Sequence, residues 1–535
     1  MHNMKELDLK KQPFARAGSR FLIFEKPGED GGLFISIASA SLSMFGGSGD
    51  PHEVLKIEIM EDGETVPFEY CADPFCLTVK GKKGIVRFAI DGYYMVVEGH
   101  GLTVHFSAKK GGAFLSDSIK MTVDGALIPI KGVKMTVIQL AGSQELIAPW
   151  DPKLRGSANP DLYLRPDESG DLKSVIIDQS HSEEEYTREL TVEGCAAEAQ
   201  KDYEVYSDRL IHLPPGNEEL FFTLSYSLWS GLQPTTDGVQ LYCTNKVSGI
   251  AYLAREQAEA ALAFADPTAA LETICLMRPY LLPNGGILGE QRSGRNIYVS
   301  DVPLLGLAAY HAVSLDGAAS VAGDILQRAY DMLVRRAEWW IRERSDGNGG
   351  FRYAYRRESG SIQAPCFDAD EPVITPDLTA CMCLLFTALG RMARIMEDGV
   401  SAERWQALAE RELQILRELW DGRGFTAISE SGKKYPCGEF GLMPAVLGGL
   451  FPQDFAGAFS KDFDRSDLVR TCLIVKGLYE AGITGLTREI ADEILRSCNS
   501  GKSALRQQPD MIEPGANYSP AACAAVLSLG SVLSA

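Results

Sequence analysis

The stretch from Thr375 to Met396 constrains this chain more than any other, because it reads as a helix without a polar face. Pro376 suits a first helical turn, where its missing N–H has no partner to lose, and Thr375 before it can cap the exposed N–H groups. From Leu378 through Ala380, Met382, Leu384, Leu385, Phe386, Ala388, Leu389 and Met392 the side chains are apolar all the way round, so protein must enclose this helix. The loop that leads into it, Cys366-Phe367-Asp368-Ala369-Asp370-Glu371-Pro372, carries three carboxylates in four positions. A loop at a helix N-terminus lies where the dipole favours anions, which predicts a reactive site at one end of a helical core.

Other runs in the second half of the chain fall into two kinds. Asp301–Val313, Asp467–Tyr479 and Ser519–Ser534 are mostly apolar, whereas Leu326–Arg344, Ala402–Trp420 and Thr487–Cys498 are amphipathic. On a wheel of about 100° per residue, Trp405, Leu408, Ala409, Leu416 and Leu419 share one side, while Glu403, Arg404, Glu410 and Arg411 fall mostly on the other. Helices hidden on all sides alternating with helices wet on one side are what a toroid of helical hairpins requires. The long connection from Ser345 to Ile374 is the kind of loop that carries a site.

Between about Arg20 and Tyr226 the pattern changes to short alternating runs separated by Gly, Asp, Asn and Pro. Arg20–Phe24, Val54–Ile59, Ile85–Ile90, Tyr93–Val97, Leu102–Phe106, Ile119–Val123, Val133–Gln139 and Leu220–Tyr226 read as strands of a large antiparallel β-sandwich. Ser230 to Gly238 is a composition break and the expected linker. The expected fold class is therefore multidomain β + α, with a β-sandwich over residues 1–235 followed by an (α/α)6 toroid over 245–535. A length of 535 residues also exceeds what one hydrophobic core supports.

Composition excludes several functions. A net charge of −20 argues against a nucleic-acid backbone or an anionic membrane surface as partner. Met1 to Lys11 lacks an apolar core of the signal-peptide kind, and no uninterrupted run of about 18 apolar residues appears, so a cytoplasmic location is expected. Twelve cysteines scattered singly through apolar runs read as small core residues in a reducing compartment. Seven histidines show no metal-ligand spacing, and neither a phosphate loop nor a serine elbow is present. Asp346 to Gly350 opens like a calcium loop, but Arg357 stands at the twelfth position, so it reads as a turn. No metal or cofactor is expected, and the sequence does not fix the oligomeric state.

Phe367-Asp368-Ala369, Pro372-Val373, Thr375-Pro376 and Asp377-Leu378-Thr379-Ala380 together resemble the Trp-Met-Asp-Ala … Pro-Val … Thr-Pro … Glu-Val-Asn-Ala segment of the glucosidase part of glycogen-debranching enzymes. They are also similar to the Glu-Ser-Gly-Trp-Asp … Asp-Leu-Asn-Ala segment of trehalases and mannosylglycerate-hydrolase-like enzymes. Met511 to Ala522 resembles the region in which these enzymes keep a second carboxylate before a helix start. The resemblance covers residues 245–535 and implies an inverting glycoside hydrolase acting, without cofactor, on a small carbohydrate substrate, an α-linked glucoside or related glycoside. It implies Asp368 as general acid and Glu513 as general base, roughly 6.5–9.5 Å apart as inversion needs. Crowding of Asp368 by Asp370 and Glu371 would hold one proton near neutral pH, since like charges resist joint ionisation. A solvated or helix-capping role is the plainer alternative for both carboxylates.

The chain departs from the pattern in places. Cys366-Phe367 replaces Trp-Met, Thr379 stands where Asn is kept, and Glu358-Ser359-Gly360 continues Ser361-Ile362 in place of Trp-Asp. Glu358 is therefore a second candidate acid. Tyr298-Val299-Ser300-Asp301 resembles a Tyr-Val-Arg-Asp segment whose Asp holds sugar hydroxyls, with helix capping the alternative for Asp301. Asp377, Asp370, Glu371 and Trp150, the last on an expected sandwich loop, complete the candidate binding set. Trp339-Trp340 reads as packing. A carbohydrate-binding protein without turnover is one rival reading, and a sugar lyase or epimerase using His311 as proton shuttle is another.

Overall fold

Alternating burial along the first half of the chain, as in Leu55–Glu61 where every second side chain is buried, produces two eight-stranded antiparallel sheets in the computed structural model. The structure describes residues 6–26, 28, 31–38, 54–108, 120–121, 125–130, 133–147, 150–151, 156–157, 161–178, 189–234, 239–243, 246, 253–287, 290–292, 295–297, 303–347, 349–359, 364–369, 371–451, 455, 465, 467–500 and 519–534. One sheet runs Phe14–Ala15, Phe21–Lys26, Gly32–Ile37, Leu55–Glu61, Thr103–Ala108, Asp161–Arg165 and Ser143–Ile147, with Glu64–Val66 beside Leu55–Glu61. The other runs Lys120–Met121, Gly125–Ile130, Val133–Ala141, Asp171–Asp178, Tyr94–His100, Ile85–Asp91, Cys76–Lys80 and Glu69–Asp73. Ile23, Ile57 and Phe106 from the first sheet share one apolar core with Phe88, Val97 and Ile176 from the second, which makes the pair a sandwich.

Leu220–Tyr226 is not a strand. It lies in helix α2 (Glu218–Ser230), which follows α1 (Val192–Ser207). Both faces of α2 are occupied: Leu220, Leu224 and Leu228 join the helical core, while Tyr226 and Trp229 join the sandwich core. A helix buried on two faces loses its polar stripe, so alternation was a false signal here. The Tyr226 hydroxyl donates to the Ala15 carbonyl at 2.8 Å, tying the two cores together. Lys246 adds a second tie, its buried ammonium donating to the carbonyls of Arg16 at 3.1 Å and of Ser19. Burial pushes that ammonium down to about 7.

The helical half closes into a ring. Its inner elements are α3 (Leu253–Ala261), α5 (Leu304–Ser314), α7 (Pro376–Ile395), the 3-10 segment Gly438–Leu450, α9 (Leu468–Glu480) and α11 (Pro520–Ser528). Each packs against the next and α11 packs back onto α3. Outside them lie α4 (Pro267–Cys275), α6 (Gly323–Arg344), α8 (Gly399–Leu419) and α10 (Thr484–Asn499), while α2 covers α11. The expected segregation of apolar and amphipathic helices is thus the division between inner and outer layers. By length and composition Pro376–Ile395 could also cross a membrane; here 83% of its most apolar window is buried in the ring. Thr375 occupies its N-cap position, yet its hydroxyl makes no capping bond to the helix.

Two glycines set how closely the ring elements approach. A Cβ on Gly306 of α5 would lie 2.6 Å from the Leu385 Cβ on α7, and one on Gly477 of α9 would lie 2.0 Å from the Ala445 carbonyl oxygen. Alanine at 477 gains up to about 1 kcal/mol of helix propensity, but the clash is with backbone that cannot swing aside. Gly477→Ala is expected to lower the unfolding free energy by about 2 kcal/mol net, read by urea denaturation. An unchanged midpoint would mean that the ring has slack at this contact.

Candidate functional site

The inner elements are all parallel, since their C-terminal residues, including Tyr310, Arg391, Val446 and Lys476, line one cavity. Their N-termini therefore share the opposite end. There the acidic loop descends to α7 beside a three-stranded sheet of Val373–Ile374, Thr426–Ser429 and Lys434–Pro436, with Tyr353 bridged to Val373. Beneath the loop, the Tyr353 ring lies 6.2 Å from Phe367 and 6.4 Å from Phe440, which gives the loop a rigid aromatic floor.

Asp377, in the first turn of α7, is the group whose chemistry this floor changes most. It is buried, and its Oδ2 accepts a hydrogen bond from the Tyr353 hydroxyl at 2.8 Å. Burial pushes its carboxyl up to about 6, although Thr375, Tyr353 and backbone N–H groups at the helix start pull it back down. In the unfolded chain the same group titrates near 3.9, so the folded state binds the extra proton. Stability is then expected to fall as pH rises from about 4 to about 6 and to level off above, by up to about 3 kcal/mol. Asp377→Asn should flatten that part of the profile; denaturation midpoints at pH 4, 5, 6 and 7 for both proteins would reveal it. An identical slope in the variant would mean that Asp377 titrates normally.

The acidic loop itself is held by a cation. Arg356 reaches Asp368 at 3.3 Å and Glu371 at 3.2 Å, and donates to the Phe367 carbonyl at 2.8 Å. The crowding of carboxylates expected from the sequence is therefore relieved between Asp368 and Glu371 by a guanidinium from outside the motif. Asp368 points outward with its side chain 70% exposed. Glu358 is wholly buried, its carboxylate accepting from Arg344 at 3.0 Å and from the Ala354 N–H at 2.6 Å. It anchors the loop and faces no open space.

Glu513, Asp301 and Asp370 lie outside the described residues. Helix α5 begins at Leu304 with Pro303 at the cap position. Trp150 lies in a two-residue strand paired with Gly156–Ser157, not on an open loop. Trp339 and Trp340 are buried, as the packing reading had it. Asp346 and Gly350 close a turn, the carboxylate accepting from the Gly350 N–H at 2.9 Å. His311 sits toward the C-terminal end of α5, away from the acidic loop, with Nε2 donating to the Phe264 carbonyl at 3.0 Å. Burial pushes its imidazole down to about 3, so it is neutral and badly placed to shuttle protons at the loop.

A second charged cluster at the same end went unread in the sequence. Arg255 of α3 pairs with Glu259 at 3.0 Å, beside buried Glu256, and Asp467 at the start of α9 lies near enough to raise Glu259. Burial is the larger cause of that upward shift, with Arg255 opposing it. Asp467 also caps α9, accepting from the Arg470 N–H at 2.9 Å. The available signal was two glutamates inside the alanine-rich apolar run from Leu253 to Phe264. Among the described residues no group of three metal-ligating side chains could hold an ion.

The class this arrangement defines is a β-sandwich joined to a six-hairpin toroid, with carboxylates gathered at the N-terminal end of the ring. Solved structures of that class match over nearly the whole chain. A family GH92 alpha-mannosidase from Bacteroides thetaiotaomicron in complex with mannoimidazole has TM-score 0.54 at 10% identity, covering 97% of this chain and 82% of its own. A bacterial glucoamylase complexed with acarbose has TM-score 0.53 at 10% identity, covering 99% and 96%. A further family GH92 glycosyl hydrolase has TM-score 0.52 at 11% identity, covering 99% and 86%. At these identities the likeness is one of fold. No family model matches the sequence, and no curated protein matches it either.

Proposed function

We propose that this protein is an inverting glycoside hydrolase that cleaves a small, α-linked glucoside or related glycoside with two carboxyl groups and no cofactor. The observation that carries the reading is the ring order. Counting around the six inner elements, α7 and α11 stand diametrically opposite. Asp368 precedes the first and Glu513 the second in sequence, so acid and base would approach a sugar from opposite sides, as inversion requires. Asp301, Asp370, Glu371 and Asp377 would bind hydroxyls, with Trp150 reaching from the sandwich. Mannoimidazole in the mannosidase structure and acarbose in the glucoamylase structure support a carbohydrate as the ligand class.

The division into a sandwich over 1–235 and a toroid over 245–535 belongs to the same proposal, with α2 as the joint both cores share. So does a cytoplasmic location, supported by twelve cysteines that are all free. A second reading, carbohydrate binding without turnover, is favoured by Arg356, which occupies the Asp368 carboxylate. Anomer-resolved NMR on a panel of glycosides separates the two. Release of the inverted anomer supports the hydrolase, saturation transfer without any product supports the binding protein, and neither signal on any glycoside removes both.

A further inference from the structure

At the end of the ring opposite the acidic loop, the C-termini of the inner elements surround a cavity of about 830 Å³. That is the size of a small-molecule site, and its walls are mainly apolar, with Leu262, Leu307, Val446 and Leu473 among them. Three charged side chains line it among the described residues: Arg391, Lys476 and Glu480. Lys476 and Glu480 pair with each other one turn apart on α9. Arg391 differs from them.

Its guanidinium donates to the Ser314 hydroxyl at 2.5 Å and stacks 4.6 Å from the centre of the Tyr310 ring, and no carboxylate among the described residues pairs with it. In a chain of net charge −20, a guanidinium with no acidic partner among the described residues on an apolar wall is conspicuous. Complementing the helix C-termini would explain a cation here, but that role calls for donation to the last carbonyls, whereas Arg391 is held by side chains from a neighbouring helix.

We propose that this cavity binds a small amphipathic anion, a molecule with an apolar body and one carboxylate or phosphate group that pairs with Arg391. The apolar walls supply the favourable burial and the guanidinium the directional contact. The converging C-termini carry partial negative charge, so a bare inorganic anion should gain little.

Displacement of the fluorophore 8-anilinonaphthalene-1-sulfonate from the full chain tests this. Octanoate or octyl phosphate should displace it at concentrations at least tenfold below those needed for octanol, and inorganic phosphate should not displace it. Displacement by inorganic phosphate as readily as by octanoate, or octanol equal to octanoate, would overturn the proposal. Arg391→Met should weaken octanoate about tenfold or more and leave octanol nearly unchanged, with Arg391→Lys recovering part of the loss. Gly449→Trp should block every amphiphile, since a Cβ there meets only the Glu480 carbonyl oxygen at 3.8 Å and the indole can fill the mouth. Unaltered octanoate binding in either Arg391→Met or Gly449→Trp, with melting temperatures matching the parent, also overturns it. Should Arg391→Met fail to fold, Gly449→Trp and the competitor series still decide.

Discussion

On the proposed inverting mechanism, Asp368→Asn and Glu513→Gln should each lower kcat on a cleaved glycoside by about 100- to 10,000-fold, the range over which a positioned proton donor or acceptor acts. The two losses should differ in kind. Without its acid the enzyme still has a water activated for attack, so a glycosyl fluoride, whose leaving group needs little protonation, should recover much of the rate in Asp368→Asn. Glu513→Gln lacks the activated water and should remain slow on both substrates. A correctly folded Asp368→Asn protein with full activity would exclude that residue as the acid. Asp377 would then be tested next, because it is the carboxyl near the loop that burial pushes up to about 6. Loss in Asp377→Asn with recovery on the fluoride would move the acid role to the first turn of α7.

How much of this was legible in the sequence depends on which signal each element carried. The inner helix Pro376–Ile395 and the outer helix Gly399–Leu419 were readable because one has no polar face and the other has one, and helical period makes that difference plain. The segment Gly438–Leu450 belongs to the ring but has Pro444 and several glycines, so its 3-10 geometry left no 3.6-residue pattern to find. Leu253–Ala261 is alanine-rich and only nine residues long, shorter than the window over which a helical period can be read. Helix α2 failed for the opposite reason, being apolar on two faces for two different cores. At the site, Asp377 was legible as part of a motif, but its shift was not, because the cause is burial under Tyr353, twenty-four positions away in sequence. Arg356 had no signal at all. Its role as a clamp depends on where the loop folds back, which local spacing does not encode.

The same fold-back makes Glu358 the residue whose loss should cost the most stability. Its carboxylate, wholly buried, accepts from the Arg344 guanidinium and from the Ala354 N–H, and Arg344 itself stacks 4.9 Å from the Trp339 ring. Removing the acid strands a largely buried cation and an amide together, and breaking a buried pair from one side costs about 3–5 kcal/mol. Glu358→Ala is therefore expected to lower the unfolding free energy by about that amount, seen in urea denaturation as a midpoint shift at constant slope. The double variant Glu358→Leu with Arg344→Met should recover a good part of the loss, because it leaves no unpaired charge inside, and the interaction energy follows from the cycle. If Glu358→Ala and the double variant were equally destabilised, the ion pair would not be what holds the loop, and the aromatic floor under Tyr353 would carry that role instead.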